Sequence, residues 1–168
     1  ILRPAAELLA KGIRVEPRQK ILEVGCSTGH LTALLASQID GATQLVAVEP
    51  TASLLDLARA KIASMTMSGK KIFLKSEALT QLRFAADVFD QVVSNLTLID
   101  SPGRDAVLAE AMRVLGPDGR FAVSAIVQGS YQEALDLYRE VCVKFDLNAH
   151  MQTADALIDR IPDAAGLR

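Results

Sequence analysis

Five short, nearly all-apolar, β-branched runs recur along this chain, and stretches with helical spacing separate them. That alternation constrains the fold more than any other feature. The runs are Lys20–Val24, Leu45–Glu49, Lys71–Lys75, Asp90–Ser94 and Arg120–Val127. Strands apolar on almost every residue are strands covered on both faces, which is how a parallel sheet between helices looks in sequence. Between them, Gly29–Ser37 and Ser53–Ser64 carry leucines and alanines at helical spacing. The stretch Ser101–Leu115 opens on Ser-Pro and places Val107, Leu108, Ala111, Val114 and Leu115 on one stripe, the side a helix buries. Ser130 and Glu133 have the spacing of a capping box, and the helix they would start carries Leu135, Tyr138, Val141 and Phe145 on one face. Regular strand–helix alternation with right-handed crossovers gives a doubly wound, mostly parallel sheet in three α/β/α layers. Five strands leave one sheet edge open, and neither N-terminal helices nor a C-terminal strand pair is evident.

At 168 residues, half of them hydrophobic, the chain is long enough for one core, so residues 1–168 are expected to form a single domain. Because it opens on Ile1, it is expected to be part of a longer protein. Eighteen basic residues against 20 acidic ones leave a net charge of -2. That balance disfavours a nucleic-acid partner, as does an aromatic content of 4 %. No run approaches the roughly 18 apolar residues of a membrane span. Cys26 and Cys142 have neither metal-ligand spacing nor a disulfide framework around them, which suits a reducing cytoplasm and no metal. The cluster Lys70, Lys71 and Lys75 reads as a solvated strand edge.

In an open parallel sheet, ligands sit beyond the carboxyl ends of the strands, so the strand-to-helix turns are the places to look. The first runs Glu23-Val24-Gly25-Cys26-Ser27-Thr28-Gly29-His30, a tight turn of small residues that lets a ligand approach bare backbone amides. The second strand ends on Glu49, whose carboxylate can accept from both hydroxyls of a ribose. Together they suit an adenine nucleoside, although a plain tight turn and a solvated carboxylate fit the turn alone equally well. A dinucleotide site would want a third glycine where His30 stands.

The shorter spacing resembles the first motif of the class I S-adenosylmethionine-dependent methyltransferases, with Glu23 as its leading acid. Phe89-Asp90-Gln91-Val92-Val93-Ser94-Asn95-Leu96 resembles that family's fourth strand, and Leu115-Gly116-Pro117-Asp118-Gly119 its turn into strand five. The resemblance implies a Rossmann-like fold. It implies that Glu23, Gly25, Cys26, Ser27 and Gly29 hold the methionyl end of S-adenosylmethionine, that Glu49 and Pro50 meet the ribose, and that Glu77 and Ala78 meet the adenine. Asn95 and Leu96 would face the transferable methyl group. Ser27 departs from the family's usual middle glycine, and holding it at positive φ would cost about 1–2 kcal/mol. The wording Ser94-Asn95-Leu96 and Gln128-Gly129-Ser130 is similar to the malonyl-carrier-protein O-methyltransferases of biotin synthesis, although Ile99-Asp100 replaces their usual Gln-Trp. The implied acceptor is a small molecule or an acyl group on a carrier, with O-methylation of a carboxylate as one form. An ionised carboxylate needs no general base; for an amine or carbon nucleophile, Asp100 is the base the sequence offers. A non-catalytic module of the same fold, acting as partner or cofactor sensor, is the alternative, and a nicotinamide oxidoreductase ranks third.

Overall fold

The computed structural model describes residues 2–66, 69–97, 103–158, 161 and 163. The chain divides into two compact units, residues 1–125 and 126–168. In the first, β1 (Lys20–Val24), β2 (Gln44–Val48), β3 (Lys71–Lys75), β4 (Phe89–Asn95) and β5 (Leu115–Ser124) form one parallel sheet in the order β3-β2-β1-β4-β5. The order reverses between β1 and β4. Helices α1 (Leu2–Gly12), α2 (His30–Gln38), α3 (Ala52–Ala63) and α4 (Arg104–Val114) complete it.

Alternation along the strands sorts the two cores. Ile21, Leu45 and Val93 face Ala6, Ala10, Leu31, Leu35 and Ile62 of α1, α2 and α3. Leu22, Val24, Val46, Val48 and Val92 face Val107, Ala111 and Val114 of α4, joined by Leu79, Leu82 and Phe89. Every residue of β1 after Lys20 is buried, as a central parallel strand requires. The loop between β3 and β4 is tied to α4: Leu82 N donates to Glu110 Oε2 at 2.7 Å, and Arg113 donates to the Phe84 and Leu82 carbonyls at 2.9 and 3.0 Å.

In the first unit, three features differ from expectation. Helix α1 is present, because Ala6, Ala10 and Ile13 recur at helical spacing and pack under α2; its small residues give a weak periodic signal. Leu108 is 38 % exposed while Val107, Ala111 and Val114 are buried, so the buried stripe of α4 is narrower than predicted. Strand β5 begins at Leu115 directly after α4; Leu115 pairs with Phe89 and the ladder resumes at Gln91 with Arg120, so Gly116–Gly119 is a break within the strand. The Ser101-Pro102 start lies outside the described residues; α4 is entered through Gly103 at φ 88, with no side-chain cap.

The second unit holds α5 (Gln132–Lys144) and α6 (Asn148–Ile158), bridged by Arg139 and Asp155 at 2.7 Å. The capping box does not form. Tyr131, at φ 62, precedes α5 without a side-chain cap, and Ser130 Oγ accepts the Val127 N–H at 3.2 Å instead. Cys142 is the buried residue of α5, whereas Tyr138, Val141 and Phe145 are exposed. Among the described residues no helix is long and apolar enough to cross a membrane, and no strand follows β5.

Candidate functional site

The site lies at the carboxyl ends of β1, β2 and β4, where the sheet order reverses. The β1 turn is fixed by main chain: Gly25 N and Cys26 N both donate to the Val48 carbonyl at 2.9 Å, and Gly29 N donates to Cys26 O at 2.8 Å. Gly25, Ser27 and Gly29 all have positive φ, at 73, 50 and 74°. Ser27 therefore carries the strain its sequence position implied, about 1–2 kcal/mol. What stabilises it is Glu49, whose Oε2 accepts the Ser27 N–H at 2.9 Å while Oε1 accepts the Thr51 N–H at 3.0 Å. Glu49 is 5 % exposed, so one carboxylate organises both turns and keeps lone pairs to spare.

Two glycines are glycines for space. A Cβ on Gly29 would stand 3.0 Å from the Ala58 Cβ, so α2 starts hard against α3. A Cβ on Gly25 would stand 2.3 Å from Thr97 Cγ2. Thr97 Oγ1 donates to the Gly25 carbonyl at 3.0 Å, which ties the tip of β4 onto the β1 turn. Leu96, at φ 59, makes the bend that brings Thr97 there, and Ser124 holds the bend by accepting Leu96 N–H and donating to Asn95 Oδ1 at 2.7 Å.

A cleft of about 270 Å³, its solvent-open mouth included, is lined by Glu23, Gly25, Cys26, Ser27, Thr28, His30, Leu31 and Asn95. Glu23 is 1 % exposed and accepts the Thr32 hydroxyl at 2.6 Å. Burial pushes its carboxyl up to about 8, with the Thr32 bonds opposing. Burial, with the Glu23 and Glu49 charges, pushes the Cys26 thiol up to about 12, so Cys26 is inert packing against Ala47, Leu55 and Ala58. His30 is held below its ordinary value by burial, then by Lys61 and Arg3.

The structure thus brings Glu23, Gly25, Cys26, Ser27 and Asn95 to one cleft, with Gly29 and Glu49 shaping its floor. Pro50 and Ala78 are exposed beside it in sequence, at the ends of β2 and β3. The Glu77 side chain is 9 % exposed; its Oε2 is buried with no hydrogen-bond partner, and the nearest cation, Arg83 Nε, is 3.6 Å away. Leu96 is half-buried and shapes the β4 bend. Asp100 lies outside the described residues. Thr32, Thr97 and Ser124 were not singled out in the sequence; each acts through a contact distant along the chain, and no local pattern marks it. Among the described residues no group of three or more His, Cys, Asp or Glu side chains is placed to hold a metal.

A sequence profile of the methyltransferase domain matches residues 21–119. The chain is similar to methyltransferase GfsG of Streptomyces halstedii, 34 % identical over 121 residues that make 72 % of this chain and 42 % of that protein. It is similar to the demethylmenaquinone methyltransferase of Lactobacillus johnsonii, 33 % identical over 67 % of this chain and 46 % of that one. The chain therefore spans less than half the length of these relatives. Its fold resembles that of a SAM-dependent methyltransferase from Methanosarcina mazei, with a TM-score of 0.63 and 24 % identity over 75 % of this chain and 59 % of that one. It resembles the cyclase SpnF as well, with a TM-score of 0.63 and 21 % identity over 72 % of this chain and 43 % of that one.

Proposed function

The chain belongs to the methyltransferase-domain family, and on that premise we propose that it holds S-adenosylmethionine at the ends of β1, β2 and β4. We infer further that the protein it forms transfers the methyl group to a small-molecule or acyl-carrier-bound acid. The observation that carries the cofactor assignment is Glu49: a buried carboxylate at a strand tip, braced by two backbone amides and still able to accept from a ribose. Gly25 supports it by position, since it lines the cleft beside Glu23, Ser27 and Asn95. Glu77 Oε2 supports it too, as a buried acceptor in want of a donor such as the adenine amine. Pro50, Ala78 and Leu96 are assigned on the family likeness and on their positions at the strand ends.

Bound there, S-adenosylmethionine supplies a methyl group on an activated sulfonium leaving group. The residues of this chain have to bind, orient and exclude water. Glu23 would accept from the methionyl ammonium, giving up its own proton on doing so. Asn95, fixed by Ser124, defines the wall at the tip of β4. Holding acceptor and methyl in line can contribute the equivalent of about 7–11 kcal/mol, so no catalytic triad is required. An acid acceptor is ionised at neutral pH, so the cleft need not supply a base. The Ser94-Asn95-Leu96 and Gln128-Gly129-Ser130 wording favours a malonyl thioester. Among the relatives, the named demethylmenaquinone methyltransferase points instead to a quinone-type acceptor such as demethylmenaquinone.

Calorimetric titration tests the cofactor assignment: S-adenosylmethionine and S-adenosylhomocysteine should bind and the reduced nicotinamide dinucleotide should not. Binding of the dinucleotide alone would overturn it. Methyl transfer by the full-length protein to malonyl thioester and not to a quinone-type acceptor would support the acid acceptor; the reverse preference would sink it. One observation favours a non-catalytic module: the Thr97 side chain fills the space over Gly25, so a ligand reaching that backbone must displace it. Cofactor binding without transfer to any acceptor would establish that second reading.

A further inference from the structure

Both main-chain polar groups of Gly25 are taken, and the two bonds hold different things. Its N–H donates to Val48 O at 2.9 Å beside the N–H of Cys26, which ties the turn to β2; breaking that bond pulls the turn off the sheet. Its carbonyl accepts the Thr97 hydroxyl at 3.0 Å, from a side chain past the end of β4, and the sheet is complete without it. The Thr97 side chain also covers Gly25, where a Cβ would overlap its Cγ2 and Oγ1. The same hydroxyl is 3.3 Å from Asn95 O, so Thr97 bridges Gly25 and Asn95, which line the cleft from β1 and β4. With that bridge made, the cleft and its mouth come to about 270 Å³, below the roughly 300–1,000 Å³ of pockets that enclose a drug-sized ligand.

Thr97 is brought there by a bend under strain. Leu96 has φ 59, and both the carbonyl and the hydroxyl of Ser124 accept its N–H at 3.1 Å. A leucine at positive φ costs about as much as one hydrogen bond contributes net, and releasing Thr97 lets Leu96 relax. Bond and strain therefore nearly offset each other, which makes the contact a two-state element and not a fixed wall.

From this we propose that Thr97 is an autoinhibitory latch: in the free chain it closes the tip of β4 onto the β1 turn, and the ligand of the cleft opens it by displacing the hydroxyl from Gly25 O. The inference rests on the cofactor reading above. On that reading Gly25 meets the methionyl end, so the amino-acid end of the cofactor releases the latch, while adenosine, held at Glu49 and Glu77, does not touch it. The apparent affinity is the intrinsic one reduced by the fraction of chains that stand open. A side chain that helps to hold the free fold together thus opposes binding, and removing its hydroxyl should tighten the complex.

The test titrates the full chain and its Thr97→Ala, Thr97→Val, Thr97→Ser and Thr153→Ala variants with S-adenosylhomocysteine and with adenosine, and follows association by stopped flow. Thr97→Ala and Thr97→Val, which lack the hydroxyl, should bind S-adenosylhomocysteine about three- to ten-fold more tightly and associate faster, since no hydrogen bond is broken on entry. Thr97→Ser restores the donor and should return to the parent affinity. Adenosine should respond to none of them, and Thr153→Ala, which removes a hydroxyl from exposed α6, should change neither ligand. Binding by the two hydroxyl-free variants when the parent chain binds nothing is the strongest support. Unchanged or weaker binding in both, with the parent binding normally, would overturn the latch and leave the cofactor reading intact. A gain in Thr97→Ser, or an equal gain for adenosine, would overturn it as well. No binding of S-adenosylhomocysteine by any form would sink the cofactor reading and the latch with it.

Discussion

The two ends of the sheet are both polar, and they handle polarity in opposite ways. At the amino ends of β1, β4 and β5, Asp90 Oδ2 accepts the Lys20 N–H at 2.7 Å, and Glu16 lies 3.7 Å from both Arg120 and Arg14. The buried polar side chains there are bonded: Gln91 donates to Arg14 O at 2.6 Å and Gln19 Oε1 at 2.8 Å, and Thr43 Oγ1 donates to Glu16 O at 3.3 Å. At the carboxyl ends, the carboxyls of Glu23 and Glu49 are buried, Glu77 Oε2 has no hydrogen bond, and Ser27 and Leu96 are held at positive φ. One end consumes its own polar groups and the other keeps capacity in reserve, while positive-φ backbone occurs at both, at Arg18 and Asp87 as at Ser27 and Leu96. Reserve of this kind is what a binding site costs a fold, and it separates the two ends more sharply than charge does.

That contrast is broken most severely at Gly25. Gly25→Ala adds a Cβ 2.3 Å from Thr97 at a φ of +73, so it should abolish binding of S-adenosylhomocysteine and destabilise the chain by about 1–3 kcal/mol. Calorimetry and thermal melting measure the two effects; an alanine that binds normally would refute the cradle. Glu49→Ala follows. It removes the acceptor of two backbone amides as well as the proposed ribose contact, and should weaken the same ligand by about 1.5–3 kcal/mol. Unchanged affinity would end the ribose assignment.

Glu23 gives the pH dependence. Burial raises its carboxyl from 4.5 to about 8, so between those values the folded chain holds a proton that the unfolded chain has released. Stability should therefore fall as pH rises from about 4.5 to about 8 and level off above, and Glu23→Gln should flatten that slope in urea titrations. A ligand ammonium settling on Glu23 lowers the value again, so binding near pH 7 should release a proton. Heats that do not vary with buffer ionisation enthalpy would contradict this. The smallest effect belongs to the opposite end: Asp90→Asn, which keeps an acceptor for Lys20 at an exposed site, should cost under about 1 kcal/mol and leave ligand affinity untouched.

Local pattern accounts for what the sequence revealed. Strands β1 and β3 fall where their apolar runs begin and end, and β2 stops at Val48, one residue short of the expected end at Glu49. Legibility failed where local partners compete for one group or where contacts between distant residues decide. The capping-box spacing at Ser130 and Glu133 is genuine, but the hydroxyl has a nearer donor in Val127, and backbone geometry at Tyr131 takes over. Helix α1 is built on alanines, which pack well and signal weakly. The role of Thr32 follows only from its hydroxyl meeting a carboxyl nine residues earlier, and that of Thr97 from a contact across 72 residues.

The reversal between β1 and β4 sets an order of assembly. Glu49 reaches Ser27 across 22 residues, whereas Ser94 reaches Val24 across 70. Closing the longer loop costs about 1 kcal/mol more in chain entropy. The half of the site around Glu49, the proposed ribose contact, can therefore form with the early β1–β2 pairing, while the half at Asn95 appears only when β4 docks. A ligand needing both halves recognises the finished sheet alone, so during synthesis or recovery from heat it acts as a late clamp that selects completed molecules over partly folded ones.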